Sequence, residues 1–185
     1  MTTRSASQPR KTKSKTALRT FRISSHLISV LESESKNRGI SPNALIGYLL
    51  YRFDNWDRFA ERFDFFSITA DVFQALLDQV TDAEIARIAE TIGARVAKEA
   101  MLFWAKEATV ASFIEYLGNR CRYAGYGHFE YAENDHNHTI VIKHKLGPKW
   151  SLFLQHSMDQ VLRKSLGISG NYEASETSIV IRFTM

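Results

Sequence analysis

Residues 18–53, LRTFRISSHLISVLESESKNRGISPNALIGYLLYRF, limit what this chain can fold into more than any other stretch. Leu18-Arg19-Thr20-Phe21-Arg22-Ile23 alternates, with Phe21 and Ile23 on one side and Leu18, Thr20 and Arg22 on the other, which is the period-2 pattern of a strand. Ser24 or Ser25 can cap a helix after it, in which Leu27, Val30 and Leu31 fall at amphipathic spacing. Gly39 suits the positive φ that ends a helix. Ser41 is then an N-cap, Pro42 occupies the first helical position, and Ala44, Leu45, Tyr48, Leu49 and Phe53 form the apolar face of a second helix. A strand and two helices of this length cannot bury a core alone, and a lone strand has no partner for its backbone. The simplest remedy is a second copy of the chain, with two strands paired antiparallel and four helices beneath them.

The order and spacing of these pieces resemble the ribbon-helix-helix DNA-binding proteins. The residues that carry the likeness are the strand LRTFRI, the serine turn, the apolar helix and the link Arg38-Gly39-Ile40-Ser41-Pro42-Asn43-Ala44-Leu45-Ile46. They cover about a fifth of the chain. The resemblance implies that the two-stranded ribbon enters the major groove and that its outward residues read bases, which assigns base contact to Leu18, Thr20 and Arg22. Leu18 is apolar where the family often has a polar residue. Arg22 offers a fork to guanine, and Thr20 a hydrogen bond or an apolar touch to a thymine methyl. Arg19 falls on the inward parity at the end of the ribbon and is assigned to phosphate. The family also holds a phosphate at the start of its second helix, which maps onto Ser41 and Asn43.

Charge is distributed to match. The chain carries 24 Lys and Arg against 20 Asp and Glu, and residues 1–22 hold seven of those cations and no acid. Subtracting those seven leaves 17 cations against 20 anions elsewhere, a net of −3. All the positive excess therefore lies in the leading arm and the ribbon, where neutralisation of phosphates would require it. Residues 1–17 are rich in Ser, Thr, Lys and Arg, a composition that stays disordered without a partner. Arg10, Lys11, Lys13 and Lys15 are the expected backbone contacts of this arm. A solubilising tail, or one that binds RNA or an acidic surface, has the same composition.

The expected organisation is a basic arm over 1–17, a DNA-binding domain over 18–56, a linker over 57–68 and an α+β domain over 69–185. Trp56, Phe59, Ala60 and Phe63 keep helical spacing after the second helix. Residues 64–68 read as a short strand. Thr69 then caps a helix whose buried side carries Val72, Phe73, Leu76, Leu77 and Val80. Thr81-Asp82-Ala83-Glu84 is a capping box; Ile85, Ile88, Ala89 and Ile92 come after it, and Gly93 is expected to close that helix. A helix through Ala97, Met101 and Trp104 comes next, and Thr109 caps another with Phe113, Ile114 and Leu117. Beyond Tyr123 the period changes to alternation over 126–132 and 139–143, around turn residues 134–137. Gly147-Pro148 opens a helix with Trp150, Phe153, Leu154, Met158, Val161 and Leu162 in its stripe, closed by Gly167. Strands at 172–175 and 178–184 complete the chain, with Ile179, Ile181 and Phe183 inward. The fold class is α+β, a ribbon-helix-helix followed by helices and a β-β-α-β-β ending. That ending is similar in element order to the sensor domains related to vinyl reductase and the TRAPP family, through Gly125-Tyr126-Gly127-His128-Phe129-Glu130 and residues 178–183. The likeness implies a domain that binds a ligand or a partner. The cysteine cluster carried by many such domains is absent.

Other chemistry is sparse. No apolar run reaches the length of a membrane helix, and the polar, basic start points to a cytoplasmic protein. A single cysteine, Cys121, permits no internal disulfide, in keeping with a reducing compartment. The arginines flanking it could lower its pKa, although a plain buried thiol is the simpler expectation. His136 and Asn137 suit a polar turn and His138 and His144 a sheet edge; the alternative is a metal-dependent enzyme built on His128, His138 and His144, which would need three or four ligands gathered in space. Trp104, Phe113, Trp150 and Phe153 could line a ligand pocket, although aromatic residues at helical spacing are more often core. No phosphate-binding glycine loop, serine-nucleophile motif or paired carboxylates are found. No cofactor is called for. Together these features suggest a non-enzymatic transcription regulator that binds double-stranded DNA as a homodimer, with a tetramer as the next assembly. Its C-terminal domain would answer to a small-molecule or protein effector. An antitoxin whose C-terminal part wraps a toxin is the other class with a DNA-binding start.

Overall fold

The computed structural model describes residues 17–185, and the chain divides into two compact units at Asp54/Asn55. In the first unit residues 17–24 take no regular secondary structure in the single chain. Helix α1 (Ser25–Asn37) starts where Ser24 accepts the Leu27 N–H, as its N-cap position demands. It stops at Gly39, whose φ of +64° lets the Ile40 N–H turn back to the Ser35 carbonyl, 3.0 Å away. Ser41 then caps α2 (Pro42–Arg52) by accepting the Ala44 N–H, with Pro42 in the first turn. A π-helical turn, Phe53–Asp57, runs across the division between the units.

The second unit begins with α3 (Arg58–Arg62). Phe59 is fully buried here among Trp56, Phe63 and Trp104, so the segment read as a linker supplies core to this unit. No strand forms over 64–68. Asp64 adopts φ +53°, the Phe65 N–H bonds to the Ala60 carbonyl, and the Phe65 ring packs at a tilt against Trp56 instead of entering a sheet.

Helix α4 (Ala70–Asp78) is amphipathic, but Leu77 is its one buried residue; Val72 and Leu76, expected inward, are exposed. The capping box at Thr81 is present and starts α5 (Asp82–Ile88). Gly93 does not close that helix. A π-helical turn, Ala89–Gly93, passes directly into α6 (Ala94–Ala105), with Gly93 at helical φ −59°. A Cβ there would stand 2.6 Å from Ser157 Oγ, so glycine serves close helix packing rather than termination. Thr109 caps α7 (Val110–Ala124) in a reciprocal pair with Ser112.

The sheet has two hairpins. Strands β1 (His128–Asn134) and β2 (Asn137–Lys143) form the first; β3 (Gly170–Ala174) and β4 (Ser178–Thr184) form the second. Between them lie α8 (Pro148–Gln160) and a π-helical turn, Val161–Ser165. All pairings are antiparallel in the order β1-β2-β4-β3, so β2 and β4 are central. The register sets three rows across one face: Phe129, Ile142, Ile179, Ala174; then Tyr131, Ile140, Ile181, Tyr172; then Glu133, His138, Phe183, Gly170. This face packs on α7 and α8 and holds the core with Phe113, Leu117, Leu154, Met158 and Leu162. The opposite face carries polar pairs, such as Lys143 to Glu130 at 2.7 Å. The α+β class and the β-β-α-β-β ending are as expected.

Candidate functional site

Of the residues assigned to DNA, Leu18, Arg19, Thr20 and Arg22 lie in the exposed segment before α1. Leu18 is 91% and Phe21 74% exposed, and Arg19 bonds to the Leu18 carbonyl at 3.1 Å. Ser41 and Asn43 stand at the N-terminus of α2, where Ser41 Oγ already satisfies one N–H and Asn43 is exposed. The macrodipole favours an anion at such a helix end. Arg10, Lys11, Lys13 and Lys15 lie outside the described residues. Within the first unit Leu45 is the one buried hydrophobic residue among the described residues, at 2% exposure. Other apolar positions, among them Leu27, Ile28 and Val30 of α1, Leu49 and Leu50 of α2 and Phe53 just after it, are exposed.

The histidines separate. His128 is exposed and sits 3.6 Å from Glu130. His138 and His144 share the inner parity but are six residues apart, roughly 20 Å along extended chain. Among the described residues no group of three or more His, Cys, Asp and Glu could hold a metal ion. Both nitrogens of His144 are engaged within the protein. Its Nδ1 accepts the Leu146 N–H at 3.3 Å, so Nε2 carries the proton and donates to Ser151 Oγ at 2.8 Å. Ser151 in turn donates to the Ser175 carbonyl at 2.5 Å. A histidine that donates to a serine cannot be that serine's base, so this buried pair ties α8 to the second hairpin. Burial holds the His144 imidazole below its ordinary pKa.

His138 differs. It is 2% exposed, stacked on Phe183 at 4.9 Å and held at Nδ1 by Tyr131 Oη at 2.8 Å, while Nε2 has no partner among the described residues. Tyr131 also reaches Glu133 Oε2 at 3.0 Å. Burial, aided by the Glu133 carboxylate, pushes the Tyr131 phenol up to about 12.

The four aromatic residues proposed for a pocket do not gather. Trp104 packs on Phe59 at 4.5 Å, and Phe113 is fully buried core. Trp150 and Phe153 stack 4.9 Å apart, with Trp150 Nε1 donating to the Tyr126 carbonyl. Cys121 is buried and its thiol pushed up to about 12 by desolvation, which outweighs the opposing pull of Arg120; it is a packing residue.

Charge counting along the sequence misses Arg120. This guanidinium is buried without a carboxylate partner among the described residues. It lies over the rings of Tyr126 and Phe65 at 4.5 and 4.6 Å and of Trp56 and Tyr116 at 5.3 and 5.6 Å. It donates to Tyr126 Oη at 2.7 Å. Ring faces and phenol oxygens replace the anion that a buried cation ordinarily needs. The contributing residues are spread from 56 to 126, so no local pattern could reveal the cage. Among the described residues no helix is long and apolar enough to cross a membrane. No family model matches the chain, and no curated protein matches it.

Proposed function

We propose that the chain is a sequence-specific DNA-binding transcription regulator. It acts as a homodimer through a ribbon-helix-helix unit at residues 18–56, with a C-terminal domain that senses an effector or mediates assembly. The observation that carries the reading is the first unit's unfilled apolar surface: two well-capped helices with one buried hydrophobic residue between them, preceded by a segment whose Phe21 and Ile23 are exposed. Apolar surface on that scale asks for a partner. A second copy supplies both a strand for residues 18–23 and a matching helix pair. The segregation of positive charge into residues 1–22 supports DNA as the ligand of the assembled ribbon. The second unit has its own buried core, which fits a regulatory domain better than a tail that folds only around a toxin.

Titration of a preferred duplex with wild-type protein and Arg22→Ala tests the reading. Two chains should bind each site. The variant should lose roughly 1–3 kcal/mol on the preferred sequence and little on a scrambled one. Equal loss on both sequences would confine Arg22 to phosphate contact, and failure of the wild type to bind any duplex would end the proposal.

A further inference from the structure

Three cations converge on one ring of the second unit. Phe103 is half-buried against Phe59, Phe63 and Trp104. Arg58 Cζ lies 5.8 Å from its ring centroid, Arg62 Cζ 5.3 Å and Lys106 Nζ 5.9 Å. All three residues are exposed, so a ligand in solvent can reach them. The unit around them is not basic. It carries 14 Lys and Arg, which is 24 less the 10 in residues 1–54, against 17 Asp and Glu, which is 20 less 3, a net of −3. The cluster is therefore a local concentration against the general sign. Glu61 and Glu107 adjoin Arg62 and Lys106 in sequence, yet among the described residues neither cation makes an ion pair. The ring attracts each cation singly but does not cancel their mutual repulsion.

The backbone adds an independent sign. Lys106 caps α6 at φ +65°, the left-handed conformation that helix ends ordinarily give to glycine. A lysine there bears the steric cost of its Cβ. Its Nζ is steered back toward the ring by donating to the Phe103 carbonyl at 3.2 Å. Strain retained for a charged side chain on the surface points to use of that charge.

We propose that Arg62 and Lys106, with Arg58 beside them, hold a phosphate group. Guanidinium and ammonium donors match the several acceptor oxygens of a phosphate dianion. At ordinary N···O lengths a phosphate bridges cations about 8 Å apart. The charges of Arg62 and Lys106 lie 5.3 and 5.9 Å from one point, so they stand no more than about 11 Å apart, within the reach of two long, exposed side chains. The phosphate belongs either to a small ester, which would be an effector for the regulatory half of the function proposed above, or to the backbone of bound DNA. The chemistry is the same, and the experiment separates the sources.

Titration of the ¹⁵N-labelled full chain with phenyl phosphate, followed by NMR at the Lys106 amide and the Arg62 Nε–H, provides the test. Benzenesulfonate at matched ionic strength is the singly charged counterpart. Phenyl phosphate should shift both signals saturably in the millimolar range, and benzenesulfonate should bind at least about fivefold more weakly. Lys106→Gly removes the ammonium while suiting the left-handed backbone, so it should melt no lower than wild type and bind phenyl phosphate about tenfold more weakly. Arg62→Gln should weaken binding to a similar extent. Equal response to benzenesulfonate, or undiminished binding in both variants, would overturn the proposal. The duplex arm measures log K against log salt for wild type and Lys106→Gly. A slope smaller by about 0.9 in the variant assigns the phosphate to DNA, and an unchanged slope with weakened phenyl phosphate binding assigns it to a small ester. No response to phenyl phosphate together with an unchanged slope also overturns the proposal. A wild type that binds no duplex would end the DNA reading and leave the phenyl phosphate result standing.

Discussion

Two residues of the second unit carry consequences out of proportion to their size. Gly127 sits at φ +142°, just before β1, and a Cβ there would run into the Lys143 carbonyl oxygen at the end of β2. Gly127→Ala is expected to cost at least about 2 kcal/mol, since both the backbone conformation and the strand approach are lost; urea denaturation measures it. His144 imposes a pH dependence. Its folded pKa lies below the ordinary 6.5 because burial disfavours the imidazolium. On acidification the unfolded chain takes up this proton first, so the stability is fully present above about 6.5 and falls as pH drops from there toward the folded value. Denaturation at pH 7.5 and pH 5.0 should show wild type losing more stability on acidification than His144→Gln does. Neither effect is visible in the local sequence. His144 reads as a sheet-edge residue, and only the approach of α8 and the second hairpin gives it Ser151.

At the scale of elements, the chain punctuates itself clearly where a polar side chain meets a helix start. Ser24, Ser41, Thr81 and Thr109 each accept an N–H in the first turn of the helix they precede. Thr81→Ala removes one such partner and should destabilise the second unit by about 1 kcal/mol, within a range of roughly 0.5–2, read from the denaturation midpoint at unchanged slope. Helix stops are less legible. Gly93 looks like an end and is instead a point of close packing, because only the neighbouring α8 with Ser157 shows why a side chain is excluded there. Residues 64–68 read as a short strand, yet they pair with neither edge of the sheet, which are β1 and β3 of the hairpins. Phe65 finds its place on Trp56 and over Arg120. In the hairpins, by contrast, alternation located all four strands to within a few residues, since a half-buried sheet forces period 2 on its sequence.

The whole molecule joins two units with different needs. The second is filled by its own side chains, with the sheet closed over α7 and α8. The first exposes the faces that would ordinarily be its core. In the proposed dimer the basic arm acts at this scale too. Replacing Lys11, Lys13 and Lys15 together with Ala should flatten the dependence of log K on log salt, by about 0.9 for each phosphate no longer neutralised, and leave sequence preference unchanged. Fluorescence anisotropy at several salt concentrations checks it, and an unchanged slope would remove the arm from the interface.

Sequence alone determined the α+β class, the helix starts, the strand alternation and the concentration of positive charge before α1. Each of these arises from interactions a few residues apart, or from counting. Tertiary structure alone decided which glycine packs rather than turns, which histidine stays unsatisfied and which arginine is caged by rings. Those outcomes depend on side chains that only folding brings together: Tyr131 meets His138 Nδ1 because β1 pairs with β2, and Nε2 is left without a partner among the described residues.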